Sequence, residues 1–431
     1  MDFLFNRTPL YFMTQSLWRD EAFSYLLAQK SIIEIIRLTA QDFNPPFYYI
    51  MLHFWIGIFG KSEIALRSLS LLFFALTLYV VSLFLDNIIK VRTKRKWVYL
   101  SLFALNPGLL YYAFEARMYS AYAFIATLSF YFFLRKKYTP YLIASIVGLY
   151  THYFFALVIA TQIAYQVIIY RRTFFKHCKF MLIPFLIFLP WIFWVYPRLI
   201  LQTDEFWIGK TTLYDVLQSI GILFTGYESF FEYYNYFIVV LSLFLTLVVI
   251  ILSIRHFHHH RKKSDLFVLL ALWSFLFYIG TLIVSFFIPI FLFRYLIFAP
   301  VGFILFLSYL LERTARRTFL ILITILYIVT IHYTALESLY KKKGDVRKTI
   351  REIKTIAGKN DLIYVADPTL YFTTVYYFDE KRTWIYDPKS IPYYIGKALI
   401  PTNKLTNTVA LYPQKTFILT NDTDYEIRAI K

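Results

Sequence analysis

The stretch SLWRDEAFSY, residues 16–25, sets Arg19, Asp20 and Glu21 side by side between apolar runs. Two later stretches repeat the arrangement, DFNPPFYY at 42–49 and YYAFEARMY at 111–119. Each places charged or helix-breaking residues against strongly aromatic helices. A charge near lipid costs about 2.5–3.5 kcal/mol at a helix centre on insertion scales. A membrane chain that keeps Asp20, Glu21, Glu115 and Arg117 at helix ends is therefore expected to use them. Composition makes this a membrane chain: 59% of residues are hydrophobic, 21% aromatic and only 16% charged. Soluble domains run nearer ~45–50% apolar and ~25% charged.

The same numbers exclude other classes. The net charge of +19 does not point to nucleic acid, because many Lys and Arg fall in short loops between apolar runs, as orientation in a bilayer requires. The single cysteine, Cys178, excludes an intrachain disulfide framework. No cleavable signal peptide is read.

A spanning helix needs about 20 apolar residues. That length predicts spans at 64–89, 97–113, 118–134, 139–151 with 153–170, 180–197, 236–254, 266–288, 293–311 and 319–338. Basic clusters at 90–96, 135–137, 171–179, 255–263 and 313–317 alternate along the chain and so share the cytoplasmic face. The other face then holds the N-terminal segment, residues 114–117, a long loop at 198–235, the turn at Arg294 and everything after Tyr340. All three charged stretches fall on that extracytoplasmic side.

Residues 22–39 carry apolar positions at helical spacing with Lys30, Glu34 and Arg37 between them, which predicts an amphipathic helix in the interface. Asn44 reads as an N-cap and Pro45 as the first helical residue of an aromatic helix at 46–59. From Lys341 onward Gly, Pro, Asp and Lys become frequent. Helices at 345–357 and 368–378, and strands at 361–367, 382–386 and 416–420, predict a small α/β domain over 341–431 behind a transmembrane domain over 1–340. It has no Gly-rich phosphate loop of the GxGxxG or Walker type.

Several residues are candidates for chemistry. Asp20 and Glu21, being adjacent, point different ways on a helix and so have different partners. A positioned carboxylate acting as base contributes about 10²–10⁴-fold, although acids also favour a helix N-terminus. The double proline of FNPPFYY presents a helix start to an anion, with Tyr48 as a neighbouring substrate contact. Arg117 suits a phosphate because its fork is planar and always charged, and Arg294 and Arg67 lie at outer helix ends where a lipid phosphate would sit. His152, in YTHYF at 150–154, stands near the outer end of a helix pair, where a lone His equally serves as a structural residue. The HFHHH run at 256–260 lies among Arg255, Arg261, Lys262 and Lys263. Cations oppose a metal there, so it reads as solvated loop and no metal ligands are assigned. Asp204 and Glu205 in the long loop carry no specific signal.

Taken together, the three stretches resemble the active-site loops of GT-C glycosyltransferases, most of all the bacterial branch of the protein O-mannosyltransferase family. YTHYF and FRYLIFAP (293–300) are similar to further blocks of that family, and the likeness runs over roughly residues 16–390. It implies a polytopic helical fold and an inverting transfer of a mannose-like hexose. The donor would be a polyprenyl-phosphate sugar and the acceptor a protein, lipid or cell-envelope glycan. The Asp of the first-loop motif, the family's base, matches Asp20, and Glu115 and Arg117 fall in the active-site wall. Charge counting puts Asp20, Glu115, Arg117 and Arg294 on one face, which predicts that Asp20, Glu115 and Arg117 surround one outward-facing cavity with Arg294 on its rim. The resemblance leaves a divalent cation open. Where relatives often carry His before the two prolines, this chain has Asn44. Relatives also carry a spanning helix before the Asp-Glu loop, where only fifteen residues precede Ser16 here. That keeps an inactive, truncated relative in view beside a lipid-linked saccharide transporter.

Overall fold

The structure is a computed structural model and describes residues 7–42, 44–171, 174–200, 208–228, 235–259 and 265–428. Five described helices are long and apolar enough to cross a membrane: Glu63–Ile89, Phe180–Pro197, Tyr236–His258, Asp265–Val284 and Arg316–Tyr340. Shorter apolar helices fill the bundle between them, and the chain is a multi-pass membrane protein.

The N-terminal part is a stack of short helices: α1 (Tyr11–Thr14), α2 (Arg19–Ala28), α3 (Ile32–Gln41) and α4 (Phe47–Phe59). The single interfacial helix expected over 22–39 is two helices. The first ends at Ala28, and Ser31 caps the second, its Oγ accepting from the Glu34 amide while Glu34 reaches back, a reciprocal cap. Only α3 is amphipathic, with Ile33 exposed and Ile35 buried, whereas α2 is buried along most of its length. Asn44 does not cap α4. Two consecutive prolines disfavour helical geometry in the residue before each, so α4 begins at Phe47 with Pro46 before it. The Phe47 amide is satisfied instead by the Tyr150 carbonyl at 3.0 Å, and Asn44 Nδ2 donates to Asp42 Oδ2 at 2.7 Å.

The bundle continues through α5 (Glu63–Phe84), α6 (Thr93–Ala104), α7 (Pro107–Ala113), α8 (Tyr119–Leu134), α9 (Tyr138–Leu149) and α10 (Phe155–Ile169). The expected span 97–113 is broken into α6 and α7. Asn106 accepts from the Leu109 amide, and Pro107 sits at the first turn of α7, a helix start that apolar length conceals. The pair at 139–170 is two helices joined by a turn at 150–154. Then follow α11 (Phe174–Ile200), α12 (Leu213–Thr225), α13 (Asn235–His259), α14 (Asp265–Val284), α15 (Phe298–Leu311) and α16 (Arg316–Tyr340). The expected loop 198–235 thus contains α12, capped by Thr212 and Asp215. Its end lies against α7: Gly226, at φ +70°, meets Gly108 where a side chain on either would collide.

The histidine run corrects a further expectation. His256 and His258 continue α13, and His256 is buried, stacked on Phe267 with ring centroids 5.2 Å apart. An aromatic ring offered by α14 makes it part of the helix packing rather than solvated loop. Positions 260–263 of the run, and Asp204 and Glu205, lie outside the described residues.

After α16 come α17 (Val346–Ile356), β1 (Leu362–Val365), α18 (Tyr371–Tyr377), β2 (Thr383–Tyr386), β3 (Leu405–Thr406), β4 (Thr416–Leu419) and β5 (Tyr425–Arg428). The sheet order is β3-β2-β1-β4-β5, parallel except for the β4–β5 pair. This unit docks on the N-terminal helices. Phe372 of α18 packs edge-on to Phe23 of α2. Tyr377 accepts from the Leu17 amide at 2.8 Å and donates to Glu63 at 3.0 Å.

Candidate active site

The site forms where α2, the α7–α8 turn and the segment leaving α16 converge. At its base lies an ion pair that seals the fold. Arg67 of α5 donates Nε and Nη2 to the two oxygens of Glu21, at 2.8 and 2.7 Å. Its remaining donors reach the carbonyls of Met13, Gln15 and Ser16. Glu21 also accepts from the Ala116 amide at 3.0 Å and from Lys343 Nζ at 3.0 Å. Both side chains are wholly buried. Burial pushes the Glu21 carboxyl up, but Arg67 and then Lys343 outweigh it and hold it down at about 2. Every lone pair of Glu21 and every donor of Arg67 is occupied, so neither expected site residue faces a cavity. They act as a bidentate lock joining α1–α2, α5 and the α7–α8 turn.

That turn explains the neighbouring pair. Glu115 and Arg117 straddle Ala116, whose amide is pinned on Glu21, and α8 begins only at Tyr119. Backbone outside a helix sends the two side chains to two adjoining cavities rather than one. Each cavity has a volume of about 560 Å³.

The first cavity is lined by Asp20, Asp42, Arg117, His152 and Arg294, with an apolar wall that includes Phe154, Ile208, Ile288 and Pro289. Asp20 Oδ1 accepts from Arg19 Nε at 2.9 Å, and Arg117 Nη2 stands 3.9 Å from Oδ2. Arg117 Nη1 donates to Tyr49 at 3.1 Å. Its Nε has no hydrogen-bond partner among the described residues. Of the two adjacent tyrosines, Tyr49 rather than Tyr48 thus contacts Arg117, and neither lines the cavity. Tyr48 is fully buried and holds Ser70 at 3.2 Å, and Ser70 in turn donates to the Arg117 carbonyl. Burial pushes the Asp20 carboxyl up, but Arg117, Arg19 and Arg294 outweigh it, and it stays ionised below its ordinary value. Burial pushes Asp42 up to about 7. His152 stacks on Tyr122 and its Nδ1 accepts from the Phe154 amide at 3.2 Å. Burial, with Arg117 and Arg294 nearby, pushes it down to about 3, so it is a neutral, oriented imidazole.

The second cavity holds Glu115, Glu228, Trp18, Tyr111, Lys341 and Lys343, among others, and shares Arg19 and Arg294 with the first. Arg294 Nη1 stands 3.8 Å from Glu228, which accepts from Tyr112 at 2.7 Å. Sequence reasoning missed Asp42, Glu228, Lys341 and Lys343. The one signal for the lysines was the triple run at 341–343 directly after the last span, which was read only as a change of composition.

No family model matches the chain, and no curated protein sequence matches it. Solved structures do. ArnT from Cupriavidus metallidurans in the apo state superposes with a TM-score of 0.63 at 12% identity, over 95% of this chain and 90% of that one. The same protein bound to undecaprenyl phosphate gives 0.64 at 10% identity over the same shares. The chain has the GT-C fold. At these identities the GT-C likeness is one of fold.

Proposed function

We propose that this protein is an integral membrane glycosyltransferase that moves a sugar from a polyprenyl-phosphate donor to an extracytoplasmic hydroxyl acceptor. The observation that carries the reading is an ionised carboxylate, Asp20, 3.9 Å from the buried guanidinium of Arg117, in a cavity that Arg294 also lines and that has an apolar wall. A carboxylate alone serves many reactions. A carboxylate that shares a cavity with two arginines and an apolar wall suits a lipid-linked phosphate donor. The fold supports it, since the ArnT structure that shares it was solved with undecaprenyl phosphate. A mannose-like hexose is the donor sugar that the loop resemblance implies.

In the reaction, Asp20 takes the proton of the acceptor hydroxyl. The freed oxygen attacks C1 of the sugar from the face opposite the phosphate. The bond from C1 to the phosphate oxygen breaks, and its electron pair leaves on the polyprenyl phosphate, which gains one negative charge. Arg117 and Arg294 hold that charge as it develops, the largest single contribution in many enzymes. Donor binding also readies the base. A phosphate that shares Arg117 relieves the hold of that cation on Asp20 and raises its basicity toward that of an ordinary carboxylate. Glu21 and Arg67 keep the loop in place, and His152, being neutral, orients rather than transfers.

The arginine assignment has its own expected outcome. Arg117→Ala should weaken binding of polyprenyl phosphate itself by about tenfold or more, as loss of a charge-assisted contact of roughly 1.5–3 kcal/mol requires, and should slow turnover as well. Binding of a fluorescent polyprenyl phosphate to protein in lipid nanodiscs checks it, and wild-type affinity removes Arg117 from the donor site. The orientation is tested separately. Alkaline phosphatase fused after Lys431 should be active outside the cytoplasm, because the basic loops alternate with one span following Arg317. A signal confined to a cytoplasmic reporter reverses the topology and moves the site to the other face.

A further inference from the structure

We propose that the second cavity is an acceptor subsite and that it takes a neutral, hydroxyl-rich saccharide. The inference rests on the glycosyltransferase reading and names the substrate class that reading leaves open. Its starting point is unspent hydrogen-bonding capacity. Glu115 is only 2% exposed, yet its Oε1 has no hydrogen-bond partner among the described residues. Trp18 Nε1, on the same cavity, is a buried donor equally without one. Buried polar atoms are otherwise nearly always paired, so an orphaned acceptor and an orphaned donor on two residues that line one cavity point to a ligand offering both.

The cations of this cavity argue against an anionic ligand. Lys341 stands 3.4 Å from Glu228 and 3.5 Å from Glu337, with Nζ 3.6 Å from the centre of the Tyr111 ring. Lys343 bridges Glu21 at 3.0 Å and Glu115 at 3.8 Å. Arg19 pairs with Asp20 and Arg294 with Glu228. Lys342, also on the lining, holds its Nζ 5.6 Å from the centre of the Tyr11 ring, so four of the five lining cations are paired with protein carboxylates. A sugar hydroxyl donates and accepts at once, which matches one carboxylate oxygen and one indole N–H, and the ring faces of Trp18 and Tyr340 suit the apolar face of a pyranose. An extended peptide would need a strand edge for its backbone. None of the residues that the C-terminal unit supplies here, Thr369, Leu370, Thr373 and Asp422 among them, lies on a strand. The volume of about 560 Å³ lies within the ~300–1,000 Å³ of small-ligand sites. Because Arg19 and Arg294 border both cavities, an acceptor bound here lies one side chain away from Asp20 and the donor.

The test is direct binding without donor, on the full chain in nanodiscs, by saturation-transfer NMR. The probes are mannotriose, maltotriose and a Ser/Thr-rich decapeptide. Wild type should give ring-proton signals from at least one trisaccharide and none from the peptide. Trp18→Phe, which keeps a ring and removes the N–H, and Glu115→Met, which keeps the length and removes the acceptor, should each weaken saccharide binding about tenfold. Trp18→Phe carries the test if Glu115→Met does not fold. Peptide signals in place of saccharide signals overturn the proposal, as do no saccharide signals at all or saccharide signals unchanged in both variants. Cleavage of the polyprenyl-phosphate donor by water, measured in parallel on wild type, separates the two readings. Donor cleavage without saccharide binding removes only the acceptor class, whereas no donor cleavage removes the transferase reading and this inference with it.

Discussion

Asp20→Asn should lower glycosyl transfer by about 10²–10⁴-fold, the usual loss when a positioned base is removed, or roughly 2.7–5.5 kcal/mol of barrier. Asn keeps the shape of the side chain and can still accept from Arg19 Nε, so the variant should fold and reach wild-type levels. Its affinity for polyprenyl phosphate should hold or rise, since the anionic carboxylate 3.9 Å from Arg117 is gone. Turnover of a purified donor by variant and wild type checks this. Near-wild-type turnover removes Asp20 as base and directs attention to Asp42, the other carboxylate on the cavity.

The second large effect is on stability. Arg67→Met should strip Glu21 of its bidentate partner and leave three backbone carbonyls without their donor. Breaking a buried pair by removing one partner costs about 3–5 kcal/mol, enough to prevent accumulation of a marginally stable protein. Glu21→Gln gives a milder test with a definite sign. The Glu21 carboxyl is held at about 2, against 4.5 when free. Its contribution is therefore fully present above pH 4.5 and lost as pH falls through about 2. Thermal unfolding of the detergent-solubilised protein should show an acid-labile component in that window for wild type and a smaller one for Glu21→Gln. Identical acid profiles would show that the lock does not hold the fold.

The residues themselves show what a sequence can disclose here. Long apolar runs disclosed the five long helices, because length and hydropathy are local properties, whereas the runs at 118–134, 139–151, 153–170 and 293–311 hold shorter helices. The break at Asn106–Pro107 was equally local, but it was masked by apolar residues on both sides. The triad of charged stretches was legible because charges beside apolar helices are rare. What each charge does was not. Glu21 and Asp20 are neighbours with opposite fates, decided by Arg67 46 residues away and Lys343 322 residues away. Glu115 and Arg117 part company because an amide between them is held by Glu21. Such pairings form only on tertiary packing. The short strands β3 and β5 were missed because their sequences, LT and YEIR, carry no apolar run.

A single displacement at C1, with Asp20 as base, inverts the anomeric centre. A polyprenyl-phosphate hexose labelled with carbon-13 at C1 would be turned over by wild type in the presence of an acceptor extract, and the anomeric configuration of the first product read by NMR. The account predicts that the label leaves the lipid with inverted configuration, and that with Asp20→Asn it stays on the lipid. Retained configuration, or equal release from both proteins, would contradict it.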